Sequence, residues 1–427
     1  GYLEENNIPF NNAELNRLIK GCEGVKRTTG QHPGGMVVLP QGYSINDFTP
    51  VQRPANDTSS STVTTHFDFN SMHDTLLKLD ILGHDDPTVI KMLEDLTGVR
   101  ALDINIRDEK IMSLFRSAEA LEPLEDIGCD LGVLGIPEFG THFVRGMLRT
   151  AVPSTISELI KLSGLSHGTN VWNNNAEDLI KAGTATLQEV ISVRDNIMLY
   201  LMHQGMDSKN AFTITEKIRK KFGTISAKHE KLMLKYGVPQ WYVDSCKKIE
   251  YLFPKAHAAA YVIMALRIAW FKIYFPREYY TAYFSIRADE FEVNTMVCSI
   301  EECRKKMEDL KNGPKKMTAR EQNIYTILEI VVEMLARGIR FKPVDIRLSM
   351  AERFVCEEDG IRVPLVAVSG IGEKAARKVI AERNKKQFLT IEELKTRGKL
   401  TKTSIEHLRE LGALAGMPES SQGSFFD

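Results

Sequence analysis

Ser369-Gly370-Ile371-Gly372 is followed by Glu-Lys-Ala-Ala-Arg-Lys-Val-Ile, so two glycines open a helix. Such a start leaves backbone N–H groups pointing outward at the positive helix end, where a phosphate fits. Lys374, Arg377 and Lys378 add charge beside that site. A plain glycine helix start is the alternative. In LKLDIL, Lys78 and Asp80 stand two residues apart in a β-rich run, which places an ammonium and a carboxylate on one face of a strand.

Positive charge is concentrated. Between Lys217 and Lys255 ten Lys or Arg, Lys220 and Lys221 among them, face three acids, and from Glu373 to Lys402 ten bases face four. Phe222, Tyr236, Trp241, Tyr242 and Tyr251 are interleaved with the first group. That pattern suits a groove meeting bases and phosphates, with a solvated helical face as the plain alternative. The formal net charge of -1 decides nothing, because binding depends on where charges sit.

The 427 residues, 43% hydrophobic, can bury a sizeable core over several domains. Six cysteines are scattered without the pairing of a zinc site or the density of a disulfide scaffold, so reduced thiols are expected. No run approaches a membrane-spanning length of apolar residues, so no membrane association is expected. The first residue is not Met and the chain opens as if inside a domain, so a fragment of something longer is expected.

These groups need elements to hold them. GGMVVLP reads as a strand entered through a glycine pair, and Thr62 to Leu82 as one or two strands near a sheet centre. Residues 87 to 300 carry helical periodicity with stops at Gly164, Gly168, Gly223, Gly237, Pro239 and Pro254. A linker at Lys311 to Lys316 precedes an apolar helix around Tyr325 to Arg337, and residues 361 to 414 form a compact helical unit. MPESSQGSFFD, almost without helix formers in its first half, is expected to be flexible.

Three blocks carry a family resemblance: KRTTGQHPGGMVVLP (26 to 40), THFDFNSMHDTLLKLDILGHDDPTV (65 to 89) and FPKAHAAAYVIMALRIAWFK (253 to 272). GIPEFGTHFVRGML (135 to 148) and SGLSHGTNVW (163 to 172) extend it. The chain resembles the C-terminal part of a bacterial DNA polymerase III alpha subunit of the PolC type. The hairpin at 369 to 372 similarly resembles the helix-hairpin-helix motif of DNA-binding proteins.

The resemblance implies an α+β, mainly α fold: a nucleotidyltransferase-like palm section, large helical fingers and a small helix-hairpin-helix domain. Expected boundaries are 1–30 for a thumb/palm connection, 31–86 palm, 87–345 fingers, 346–413 duplex binding and 414–427 a clamp-binding tail. It implies template-directed addition of dNTPs to a primer 3′-hydroxyl with two Mg2+ ions held by three carboxylates, one of which matches Asp80. Lys78 would then reach the triphosphate. Asp68, Asp85 and Asp86 are alternatives to Asp80, read as structural or as helix N-terminal acids. Lys255 and His257 match a block lining the nucleotide and template side, Ser166 and His167 a loop near the nascent base pair, and Arg194 a triphosphate contact. A core histidine at 257 and a plain turn at 163 to 168 are the alternatives.

One departure matters. The family's Asp-x-Asp strand is absent from these residues, so the fragment is expected to bind DNA without polymerising it. A non-catalytic DNA-binding or scaffold protein derived from such a polymerase is the second reading. The end, QGSFFD, resembles the family's sliding-clamp peptide, with Gln422, Phe425 and Phe426 as contacts and Gly423 where an aliphatic residue is common. Primer–template DNA, incoming dNTP, the clamp and other replisome subunits are the implied partners, in a bacterial cytoplasm.

Overall fold

The computed structural model describes residues 5–6, 8–9, 11–25, 29–32, 34–81, 83–219, 225–313 and 315–420. Lys220, Lys221, Gln422, Phe425 and Phe426 lie outside the described residues. The chain divides into two compact units, Gly1–His84 and Asp85–Asp427.

The first unit contains helix α1 (Asn12–Cys22), whose cap Asn11 accepts the Glu14 N–H, and two small antiparallel sheets. Strands β1 (Gly35–Val38) and β4 (Leu77–Asp80) pair with Gly35 opposite Asp80 and Val37 opposite Lys78. Strands β2 (Val51–Gln52) and β3 (Thr64–Thr65) form the other pair. Side chains alternate across a strand, so Met36, Val38, Leu77 and Leu79 share one face of β1–β4 while Lys78 and Asp80 share the other. The sheet-centre expectation is corrected here. Among the described residues β4 pairs with β1 alone, and Met36 and Leu77 are 59% and 62% exposed. The apolar stripe is present and partly exposed, with Val38 and Leu79 at 38% and 44%. Among the described residues of this stretch, 62–81 give β3, β4 and a short 3-10 turn at Phe69–Ser71.

The second unit is mainly helical. The helices that shape its functional regions are α2 (Asp85–Thr97), α3 (His142–Ala151), α4 (Ile156–His167), α5 (Arg194–His203), α6 (Lys255–Tyr274), α7 (Pro276–Ile286), α8 (Ala319–Ala336), α9 (Glu373–Lys385), α10 (Ile391–Thr396) and α11 (Lys402–Glu410). A three-stranded sheet orders β5 (Phe341–Lys342), β7 (Gly360–Arg362) and β6 (Val355–Glu357), with β5–β7 parallel and β6–β7 antiparallel. The fold class is therefore mainly α with a little β, as expected.

Helix α6 is the one described helix long and apolar enough to cross a membrane. Here its Val262, Leu266 and Phe271 are buried, and it packs against α4 and α7. Burying so much helix also buries Lys272, with no exposed surface. Its ammonium is satisfied by the Gly132 and Leu134 carbonyls at 2.9 and 2.6 Å and by the equally buried Glu333 of α8 at 2.7 Å. Tyr280 of α7 donates to the same carboxylate at 2.7 Å, which ties three helices together through one polar network.

Two expectations change. Gly164 does not stop a helix; it lies inside α4, where a Cβ would stand 2.5 Å from Val193 Cγ1 and 2.8 Å from the Ser192 carbonyl. It is a close-contact glycine. Residues 414 to 419 are not a loose tail either. Leu414 and Met417 are buried, and the N–H groups of Ile391 and Glu392 donate to the Pro418 and Glu419 carbonyls at 3.0 Å each. Apolar anchoring and backbone pairing override the poor helix propensity.

Candidate functional site

On β4, Lys78 Nζ lies 3.2 Å from Asp80 Oδ1 and 5.1 Å from the centroid of the Phe69 ring. Asp80 is the more exposed of the two side chains, at 57% against 25%. Gly35 stands opposite Asp80, and its missing side chain leaves room for the His32 ring beside the pair. A Cβ there would lie 2.9 Å from His32 Nδ1 and 3.4 Å from Lys78 Cδ. His32 Nδ1 accepts the Gly34 N–H at 3.2 Å, which seats the imidazole in the notch.

Asp80 offers the hard oxygen that magnesium takes. It is a single carboxylate, however, and among the described residues no cluster of three His, Cys, Asp or Glu could hold a metal ion. The described residues do not by themselves fit a two-magnesium site. Of the alternatives, Asp85 and Asp86 are first-turn acids of α2, with Asp86 bonded to Arg287 at 3.1 Å, and Asp68 accepts the Ser71 hydroxyl.

In the second unit the sequence candidates converge on a ladder of rings. The His167 ring stacks on Phe253 at 4.6 Å and 18°, Phe253 meets His257 edge-on at 4.9 Å, and His257 lies 4.5 Å from Tyr261. His257 and Tyr261 are four apart on α6 and so share a helix face. Ser163 to His167 is the last turn of α4, which corrects the expected loop. His257 is exposed, so the core-histidine alternative fails. His167 Nδ1 faces the Ser163 carbonyl at 2.9 Å and the Ser166 hydroxyl at 3.0 Å. Burial raises the Tyr261 phenol above its ordinary value, helped by the charges of Glu138 and Asp86.

Beside the ladder two helix starts meet. The Arg194 N–H donates to the Phe253 carbonyl at 3.3 Å, and Asp195 accepts the Lys255 N–H at 3.0 Å. Arg194 therefore opens α5 where Lys255 opens α6, and neither side chain has a carboxylate partner among the described residues. Burial holds the nearby Lys161 ammonium below its ordinary value, with Lys255 adding to the effect. Sequence reasoning passed over Lys161 and Glu138. Their only signal was position: Glu138 lies inside the quoted block 135 to 148 and Lys161 just before the block 163 to 172.

At the hairpin, Gly370 takes a φ of +82°, and Gly372 caps α9 without a side-chain cap. Helix α11 braces the turn from behind: Ser404 donates to the Gly370 carbonyl at 2.9 Å and His407 to the Ser369 carbonyl at 2.7 Å. The picture of three unopposed cations is corrected. Arg377 is held by both Glu352 oxygens, Lys378 lies 3.4 Å from Glu382, and only Lys374 has no carboxylate partner among the described residues. The hairpin also shares a cavity of about 590 Å³ with Asp289, Glu290 and Glu292, of which Arg320 neutralises the last two.

The earlier basic stretch divides as well. Lys247 pairs with Glu230 at 2.7 Å and Arg219 with Glu216 at 2.7 Å, while Lys228, Lys231 and Lys235 have no acidic partner among the described residues. Its aromatics are not a stacking platform: Tyr242 is buried against Tyr200 at 4.3 Å, and Tyr251 is the exposed one among those described.

Residues 4–83 match the bacterial DNA polymerase III alpha NTPase domain, 86–238 the finger domain of that subunit and 338–423 a helix-hairpin-helix motif. DNA polymerase III PolC-type of Caldanaerobacter subterraneus subsp. tengcongensis is 50% identical over all 427 residues, that of Clostridium perfringens 49% and that of Bacillus subtilis 48%. The chain belongs to the PolC-type DNA polymerase III family. It spans about 30% of the length of these PolC-type relatives. The β4 pair falls inside the NTPase match, and Glu138, His167 and Arg194 fall inside the finger match.

Proposed function

We propose that this chain is part of a replicative DNA-directed DNA polymerase that adds dNTPs to a primer 3′-hydroxyl on a template. The observation that carries the reading is the Lys78–Asp80 pair on one face of β4, its carboxylate exposed, within a polymerase NTPase match. Asp80 supplies one carboxylate of a magnesium site whose other ligands lie outside this chain. When bound, two such ions activate the primer hydroxyl and steady the triphosphate. Lys78 contributes a positive charge for the triphosphate next to Asp80. The exposed apolar face of β1–β4 supports a palm sheet completed by further polypeptide, as the relatives' length allows.

Arg194 and Lys255 offer cations at two helix starts, and Ser166, His167 and His257 build the ladder, an arrangement suited to a nucleotide's phosphates and its planar base. The hairpin at Gly370 and Gly372, with Lys374, Arg377 and Lys378, takes duplex backbone without reading bases. Lys220 and Lys221 join that grip, and Gln422, Phe425 and Phe426 dock on a sliding clamp; these two assignments rest on sequence alone. The protein works with other replisome subunits in the bacterial cytoplasm, at the nucleoid.

Fluorescence anisotropy and primer extension on the 427-residue chain test this reading. Salt-sensitive primer–template binding without extension is expected. Extension by this chain alone would overturn the single-carboxylate account, and failure to bind duplex would remove the DNA-contacting role.

A further inference from the structure

Glu138 has no role in the account above, yet it touches the anchored end of the ring ladder. Its backbone takes a φ of +69°, in the left-handed region that disfavours residues with a Cβ. Its side chain is only 11% exposed and turns inward, with Oε2 3.3 Å from His167 Nε2 and accepting the Ser163 hydroxyl at 3.3 Å. The other His167 nitrogen already meets the Ser163 carbonyl and the Ser166 hydroxyl. Both ring nitrogens therefore have partners, which fixes the tilt of the imidazole as well as its place. That tilt, 18° from Phe253, sets the first contact of the ladder running on to His257 and Tyr261.

We propose that Glu138 is a positioning residue for nucleotide recognition: its carboxylate holds His167 flat on Phe253, so the ladder presents one fixed edge to the base or sugar of a nucleotide. This rests on the reading of the ladder as a nucleotide site. The left-handed backbone allows a clean test, because glycine is at ease there. Glu138→Gly removes the carboxylate while relaxing the main chain, and Glu138→Gln keeps an acceptor oxygen of the same reach.

The readout is the imidazole spectrum of the 427-residue chain labelled with 15N-histidine, the His167 signal being the one of ten lost in His167→Gln. Glu138→Gly should melt no lower than the parent and should shift the His167 ring resonances more than those of any other histidine, while Glu138→Gln stays near the parent. In the complete polymerase Glu138→Gly should raise the KM for dNTP about tenfold, the scale of one charge-assisted hydrogen bond, with kcat little changed. An unmoved His167 signal in Glu138→Gly overturns the proposal. So does a moved signal with unchanged KM; His167→Gln then tells which part failed, since an unchanged KM there puts the fault in the nucleotide reading and a raised one puts it in Glu138.

Discussion

Lys78 and Asp80 form an ion pair at 3.2 Å on the face of β4 where Gly35 leaves room for the His32 ring. Gly35 is needed because its Cβ would press on the His32 ring and reach the stem of Lys78. Gly35→Ala in the complete polymerase is expected to slow single-turnover extension at least about tenfold, equivalent to roughly 1.4 kcal/mol of barrier. His32→Ala with Gly35→Ala should be no slower than His32→Ala alone, because the clash has lost its partner. Additive losses would mean that Gly35 matters for another reason.

The buried Lys272–Glu333 pair predicts asymmetry in stability. Removing one partner leaves a buried charge, so Lys272→Ala or Glu333→Ala should each cost about 3–5 kcal/mol in urea unfolding. Lys272→Met with Glu333→Leu should cost much less than the two single losses added together. Equal, additive costs would show that packing rather than charge governs the site.

Alkaline pH supplies a third test. Burial pushes Tyr283 up to about 12, and Tyr242, Tyr279 and Tyr280 also rise well above the ordinary phenol value for the same first cause. These phenols stay protonated in the fold after they ionise in the unfolded chain, so their stabilisation is full below about pH 10 and is lost as pH climbs towards 12. Burial pulls Lys272 down to about 8 against the attraction of Glu333; a lowered lysine acts the other way, adding stability between about pH 8 and 10.5. The buried Cys246 and Cys303 thiols, also raised by burial, oppose the Lys272 gain from about pH 9, so the urea midpoint should fall beyond pH 10, and fall less steeply in Tyr283→Phe. A fall that Tyr283→Phe does not reduce would contradict the assignment.

Local patterns in the sequence were enough for the mainly helical class, the β1 strand, the shared face of Lys78 and Asp80, and the glycine hairpin. Side-chain alternation and glycine conformations are local physics. Glu138 was not legible, since its role depends on a contact with His167, 29 residues further along the chain. Gly164 misled because a helix-breaking glycine and a close-packing glycine look alike until Val193 is placed against it. Counting bases overstated the free cations, because Glu352 and Glu382 are distant or helical neighbours that only folding brings into register with Arg377 and Lys378.

The Glu352–Arg377 contact predicts a gain of function. The pair is exposed and screened by solvent, so Glu352→Gln should loosen Arg377, leaving Glu373 at 3.6 Å as its remaining carboxylate partner, at little cost in stability. Duplex binding should tighten, and the slope of log affinity against log salt should steepen by about 0.9 for one added phosphate contact. Changing Lys374, Arg377 and Lys378 together to Ala should flatten the slope. An unchanged slope in both variants would mean that the hairpin does not take phosphate.

The most direct test of the central claim is primer extension by the complete polymerase carrying Asp80→Ala, measured beside primer–template anisotropy. The account predicts that extension is abolished while binding stays within a few fold, because a metal ligand is lost and the grip on the backbone remains. Extension at more than about a tenth of the normal rate, a barrier change under roughly 1.4 kcal/mol, would contradict it.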